Sequence, residues 1–196
     1  MRLLHPVGED EVVATFLRGE LDSERYGEKL RRLLARDGRA LDVLERPKVA
    51  DPDEGAYRRA LLEEHRAYVS REGLFLGFPE HVDWHRAALT ADEVLEVRYI
   101  NWDWWLRVSD GTRSAREAAR RIRAGEVAGV TAEEHAPVIA APHAELIAAA
   151  TPALSPLVLV EGHVRLTAYA LFPERLPDEL EILLGVSDGM AGWCQF

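Results

Sequence analysis

The chain has 196 residues, with 34 acidic and 24 basic side chains and a formal charge of −10, a balance that argues against a nucleic-acid partner, whose phosphates call for a basic footprint. Its single cysteine excludes an intrachain disulfide framework and a cysteine-rich zinc site. A hydrophobic content of 47% suits one core, or a core with a smaller helical lobe; no run approaches the ~18 apolar residues of a membrane span, and the absence of a signal-peptide pattern gives a cytoplasmic expectation.

In chain order, residues 8 to about 70 read as helical and highly charged. Glu9 to Arg18 forms one helix. Asp22 to Arg36 forms a second, capped by Asp22 or Ser23 and stopped at Asp37-Gly38, with Tyr26, Leu30, Leu33 and Leu34 at helical spacing. Glu54 to Ser70 forms a third, on which Tyr57, Leu61, Leu62, His65 and Val69 trace an apolar stripe. Leu74 to Pro79 is a short apolar run closed by glycine and proline. Thr90 and Glu93 fit a capping box for a helix through Glu96. Val97 to Val108 reads as one or two strands, its tryptophans Trp102, Trp104 and Trp105 alternating with polar residues as core fillers or as base-stacking groups. Asp103 stands out within that cluster, because a carboxylate there is costly unless paired or used. Ser114 caps a basic helix to Arg123, and Arg113, Arg116, Arg120, Arg121 and Arg123 lie within eleven residues. They offer an anion or partner surface, or salt bridges to the acidic lobe. His81 and His85 would share one face of a helix, but lack a third ligand and the glutamate of a zinc-protease pattern, so no metal site is assigned. His135 and His143 flank Pro137 to Ala141, a first core strand, and read as surface or packing residues.

The stretch from Pro156 to Leu171 carries chemistry. Leu157 to Val160 reads as a strand buried on both faces. Glu161, Gly162 and His163 turn the chain, and from Val164 the apolar positions Ala168, Leu171 and Phe172 recur at helical spacing. A strand that ends in a glycine and opens a helix presents free backbone N–H groups and the positive end of the helix dipole, an arrangement suited to a phosphate. His163 and Arg165 flank the spot as further donors. The same residues also permit a plain structural role: Gly162 as a positive-φ turn, His163 as a cap and Arg165 on a solvated face.

Glu161-Gly-His-Val-Arg-Leu-Thr-Ala resembles the signature turn of the ParB/sulfiredoxin superfamily, in which a strand is followed by Gly-x-x-Arg at a helix start. The resemblance covers about the last 60 residues, with Leu157 to Val160 as the central strand and Leu180 to Val186 as the strand after the helix. It implies Gly162, His163 and Arg165 as phosphate-binding positions for ATP, ADP or CTP with Mg2+. It also implies a phosphoryl transfer to a small acceptor or to water, with Glu161 as base or metal contact and Asp103 as a second candidate. His163 stands where sulfiredoxins carry their cysteine. One arginine of the partition-protein pattern is missing, and the chain leaves no room for their helix-turn-helix domain; the turn is closest to the small-molecule kinase branch. The expectation is an α+β protein with a helical N-terminal lobe (1–73) on a small mixed sheet (74–196). The alternatives are a non-catalytic binding module of the same fold and a DNA-binding or nicking protein.

Overall fold

The computed structural model describes residues 1–140 and 145–196; His143 and the end of the expected Pro137–Ala141 strand lie outside them. The chain is α+β. Its five strands are β1 (Arg2–Pro6), β2 (Asp83–Thr90), β3 (Ile147–Ala150), β4 (Val158–Glu161) and β5 (Glu179–Val186). They form one mixed sheet in the order β1-β2-β5-β3-β4. The β2–β5 pair is antiparallel along its full length, from Asp83 against Val186 to Thr90 against Glu179. The β3–β5 pair is parallel, and β1–β2 and β3–β4 are antiparallel. β1 is irregular in register between Leu3 and His5.

Helices cover both faces. On one side lie α1 (Glu9–Leu21), α2 (Gly27–Arg36), the short α3 (Asp42–Glu45) and α4 (Pro52–Arg66). Phe16, Leu17, Leu30, Leu44 and Leu62 from these helices share a core with Trp84, Ile147, Ala149, Val158, Val160 and Leu183 of the sheet. On the other side α5 (Ala91–Glu96), α6 (Asp103–Val108), α7 (Ala115–Arg123), α8 (Ala132–His135) and α9 (His163–Leu171) follow the strand alternation. There Val94, Ala118, Ile122 and Leu166 meet Ala148, Leu159, Ile182 and Leu184. Odd and even positions of β3, β4 and β5 thus serve two cores, as a period of two residues requires.

Several elements follow their local signals. The Thr90–Glu93 capping box is formed in both directions, and Ser114 accepts from the Glu117 N–H to open α7. Asp51 caps α4, and Ala67 in the left-handed conformation ends it before Val69, which is exposed.

Four expectations are corrected. Residues 97–108 are not strands: Arg98 makes only isolated bridges to Ser114 and Val158, and Asp103–Val108 is helical. Trp105 and Val108, three residues apart, turn inward while Trp102 and Trp104 face solvent. The segment Ala136–Ala140 is a 3-10 turn, Pro137 having no N–H for a ladder, and the strand is Ile147–Ala150 instead. β4 is an edge strand of the sheet rather than its centre, a place held by β5. Its open side is covered by Arg98, whose N–H donates to the Leu157 carbonyl (2.9 Å) and whose carbonyl accepts from the Leu159 N–H (2.8 Å). His81 and His85 share no helix: His81 precedes β2 and His85 lies in it.

Candidate functional site

The turn after β4 is built around one glycine. Gly162 has φ 95° and ψ 24°, a region that costs other residues strain. A Cβ at this position would stand 2.6 Å from Leu146 Cδ2 and 3.1 Å from the Glu145 carbonyl oxygen. The chain therefore enters α9 at an angle that only glycine allows. The Leu166 N–H bonds the Gly162 carbonyl (2.9 Å), and the amides of the first turn before it have no intrahelical acceptor.

Three turn side chains point into the protein. The His163 ring stacks on Trp105 of α6 (centroids 5.0 Å, planes 21° apart) and lies 6.2 Å from Tyr99. Burial, with the Arg66 guanidinium adding to it, pushes this imidazole down to about 3, so it is neutral, and Nε2 is buried without a partner among the described residues. Arg165 is 8% exposed. Its Nη1 donates to the Glu145 carbonyl (3.1 Å), while Nε is buried and unpartnered. The solvated-face reading of Arg165 is overturned. Glu161 lies against α1, with its Cγ and Oε1 3.6 Å from where a Cβ on Gly19 would stand. Burial first, and the Glu20 charge second, push its carboxyl up to about 8, against the pull of the Gly162 N–H, Arg66 and Arg165. Near neutral pH Glu161 keeps its proton.

The structure adds three residues to the turn from the opposite end of the chain. Glu20 at the end of α1 is 3% exposed. His65 Nε2 lies 3.3 Å from its Oε2, and Arg66 Nη2 lies 3.4 Å from its Oε1. The Arg66 guanidinium is stacked over the Tyr26 ring at 4.3 Å. A second ionic chain runs alongside: Arg18 to Glu145 (3.0 Å), Glu145 to Arg86 (2.7 Å) and Arg86 to Glu11 (2.5 Å). A signal for the first three residues exists in the sequence. Glu20 is spaced with Phe16 and Leu17 on the buried face of α1, and His65 sits in the apolar stripe of α4; a charged or titratable group on such a face is held by a partner or used.

Asp103 is not brought into this cluster. It is the exposed first residue of α6, where the helix dipole suits a carboxylate without further pairing. The basic residues around α7 are consumed locally rather than by the acidic N-terminal helices. Arg116 pairs with Asp92 and Glu96, Arg120 with Glu117 and Glu126, and Arg121 with Glu126. Arg113 and Arg123 donate to main-chain carbonyls. A cavity of about 280 Å³ lies apart from the turn, lined by Glu9, Tyr68 and residues 80–84.

The site is thus a glycine-shaped helix start with two neutral titratable groups, one buried arginine, and a Glu20–His65–Arg66 group behind it. No family model, curated protein or solved structure matches the chain.

Proposed function

We propose that the chain binds a nucleotide, or another small phosphorylated molecule, at the Glu161–Arg165 turn, and that the bound phosphoryl group passes to a small acceptor or to water. The observation that carries this reading is Arg165. Its guanidinium stands at the start of α9, 8% exposed, with an unpartnered Nε and no carboxylate within 4 Å among the described residues. A buried cation left without an acidic partner at a helix N-terminus is suited to an anion. Gly162, which lets the backbone approach closely, and the neutral His163 complete the donor set.

The carboxyls limit the chemistry. Glu161 holds its proton near neutral pH and serves as a hydrogen-bond donor rather than as a base. Glu20 is engaged by His65 and Arg66. Among the described residues no group of three metal-ligating side chains is found, so the residues here do not supply a magnesium site, and no step is assigned to protein-held metal. The same observation favours a second reading, in which the turn binds nucleotide as a module without turnover. The paired arginines of α7 offer no free basic footprint for DNA.

The test is a thermal-shift screen of the full chain against ATP, ADP, CTP, GTP and phosphate, with and without magnesium. A ligand at about 100 times its Kd stabilises by about 2.7 kcal/mol, which raises the melting temperature of a chain this size by about 5 °C or more. A nucleotide-specific rise that is lost in Arg165→Ala is the expected result. Binding without phosphate release assigns the module reading, and no shift with any of these ligands overturns both.

A further inference from the structure

The turn itself carries one arginine, and a single guanidinium with helix amides is a modest holder for the diphosphate part of a nucleotide. We propose that Arg66, at the C-terminal end of α4, is the second cationic arm of this site and that Arg66 and Arg165 together clamp a phosphate or pyrophosphate group at the start of α9. This rests on the reading of the turn as a phosphate site and extends it to a residue 99 positions away in sequence.

Four observations place Arg66 there. Its charge acts on both Glu161 and His163, the two residues that flank Gly162, and Arg165 acts on Glu161 as well; the two guanidinium groups therefore face the same carboxyl from α4 and α9. Second, both Nε atoms are buried without partners among the described residues, as is His163 Nε2. A buried donor left unmade costs about 1–3 kcal/mol, and an anion seated between the two arginines would satisfy donors from three side chains. Third, the charges leave room for it. With Glu161 protonated, the groups facing one another are two guanidinium ions, one carboxylate on Glu20 and a neutral imidazole on His163. Asp22 and Glu145 act on Arg165 from further off, and Glu145 is itself held by Arg18 and Arg86. Fourth, Arg66 is set before any ligand arrives, with Tyr26 beneath its plane and Glu20 on its Nη2. A side chain fixed in advance loses less freedom on binding, and a planar fork matches phosphate oxygens in a way a lysine does not.

The experiment is calorimetric titration of the full chain with pyrophosphate in the absence of metal, comparing wild type, Arg165→Ala, Arg66→Ala and Arg66→Lys, with exposed Arg116→Ala as a control. The expected result is wild-type binding weakened about tenfold or more in both alanine variants and unchanged in the control. Arg66→Ala strips Glu20 of its guanidinium and can lose its fold, so Arg66→Lys decides in that event: it keeps the charge but not the fork, and is expected to bind about fivefold more weakly at an unchanged melting temperature. Wild-type affinity in either foldable Arg66 variant, together with loss in Arg165→Ala, overturns the clamp and leaves the turn as a phosphate site. Absence of pyrophosphate binding by the wild type overturns the turn and the clamp together. A second readout follows the arginine Nε–H resonances on adding pyrophosphate: the signals of Arg66 and Arg165 are expected to move together, and movement of the Arg165 signal alone overturns the clamp.

Discussion

Glu161 and His163 stand on either side of one glycine, and the same cause holds both of them neutral. Burial favours the uncharged form of each, raising the carboxyl to about 8 and lowering the imidazole to about 3. Their effects on stability have opposite signs. For Glu161 the folded state binds more protons than the unfolded chain between about pH 4.5 and 8, so its contribution falls as pH rises through that window. For His163 the unfolded chain binds more protons between about pH 3 and 6.5, so its contribution is lost as pH falls through that window. The two slopes oppose between about pH 4.5 and 6.5, and stability owed to these groups declines on either side. Urea denaturation of Glu161→Gln across this range is expected to lose the alkaline decline and keep the acid one; an unchanged alkaline limb would show that Glu161 is charged in the folded protein. Phosphate affinity should also drop above about pH 8, when a carboxylate appears beside the anion.

At the scale of elements, α7 shows that a cluster of like residues need not be one surface. Arg116 reaches Asp92 and Glu96 from an exposed position, and such pairs contribute ~0–1 kcal/mol. Arg113 instead ties three carbonyls together, those of Tyr99 (2.7 Å), Gln195 (2.9 Å) and Phe196 (2.6 Å), and so pins the C-terminal segment to the loop before α6. Arg116→Ala is expected to change unfolding free energy by less than about 0.5 kcal/mol, and Arg113→Ala to cost about 2 kcal/mol, both measured by denaturant titration. The contrast also marks what the sequence makes legible. Caps, the glycine turn and β5 follow from residues within a few positions of one another, and were readable. β2 was not, because Arg86 and His85 interrupt its apolar positions and find partners only across the fold. β3 was not, because Ile147-Ala-Ala-Ala150 has little strand propensity and is a strand because small side chains fit between two helical layers. The candidate site divides in the same way. Its turn is local and could be read, whereas Glu20, His65 and Arg66 join it only through the packing of α1 and α4.

For the molecule as a whole, the helices of the first 73 residues are not an attachment to a finished domain. β1 is a strand of the sheet, and Phe16, Leu17, Leu30 and Leu62 fill the same core as Ile147, Val160 and Leu183. Removing them would open one entire face of the sheet to water. Wild-type unfolding is expected to be a single transition, coincident by circular dichroism and tryptophan fluorescence; a chain of residues 74–196 alone should show no cooperative transition, and a sharp one would establish two independent lobes. The irregular register of β1 has its own consequence. As the outermost strand on that side, it presents main-chain groups that a strand from another molecule can pair with. Five residues long, broken between Leu3 and His5 and closed by Pro6, it is a poor template for such growth. With a formal charge of −10 adding mutual repulsion, concentrated solutions should resist edge-to-edge aggregation through this strand.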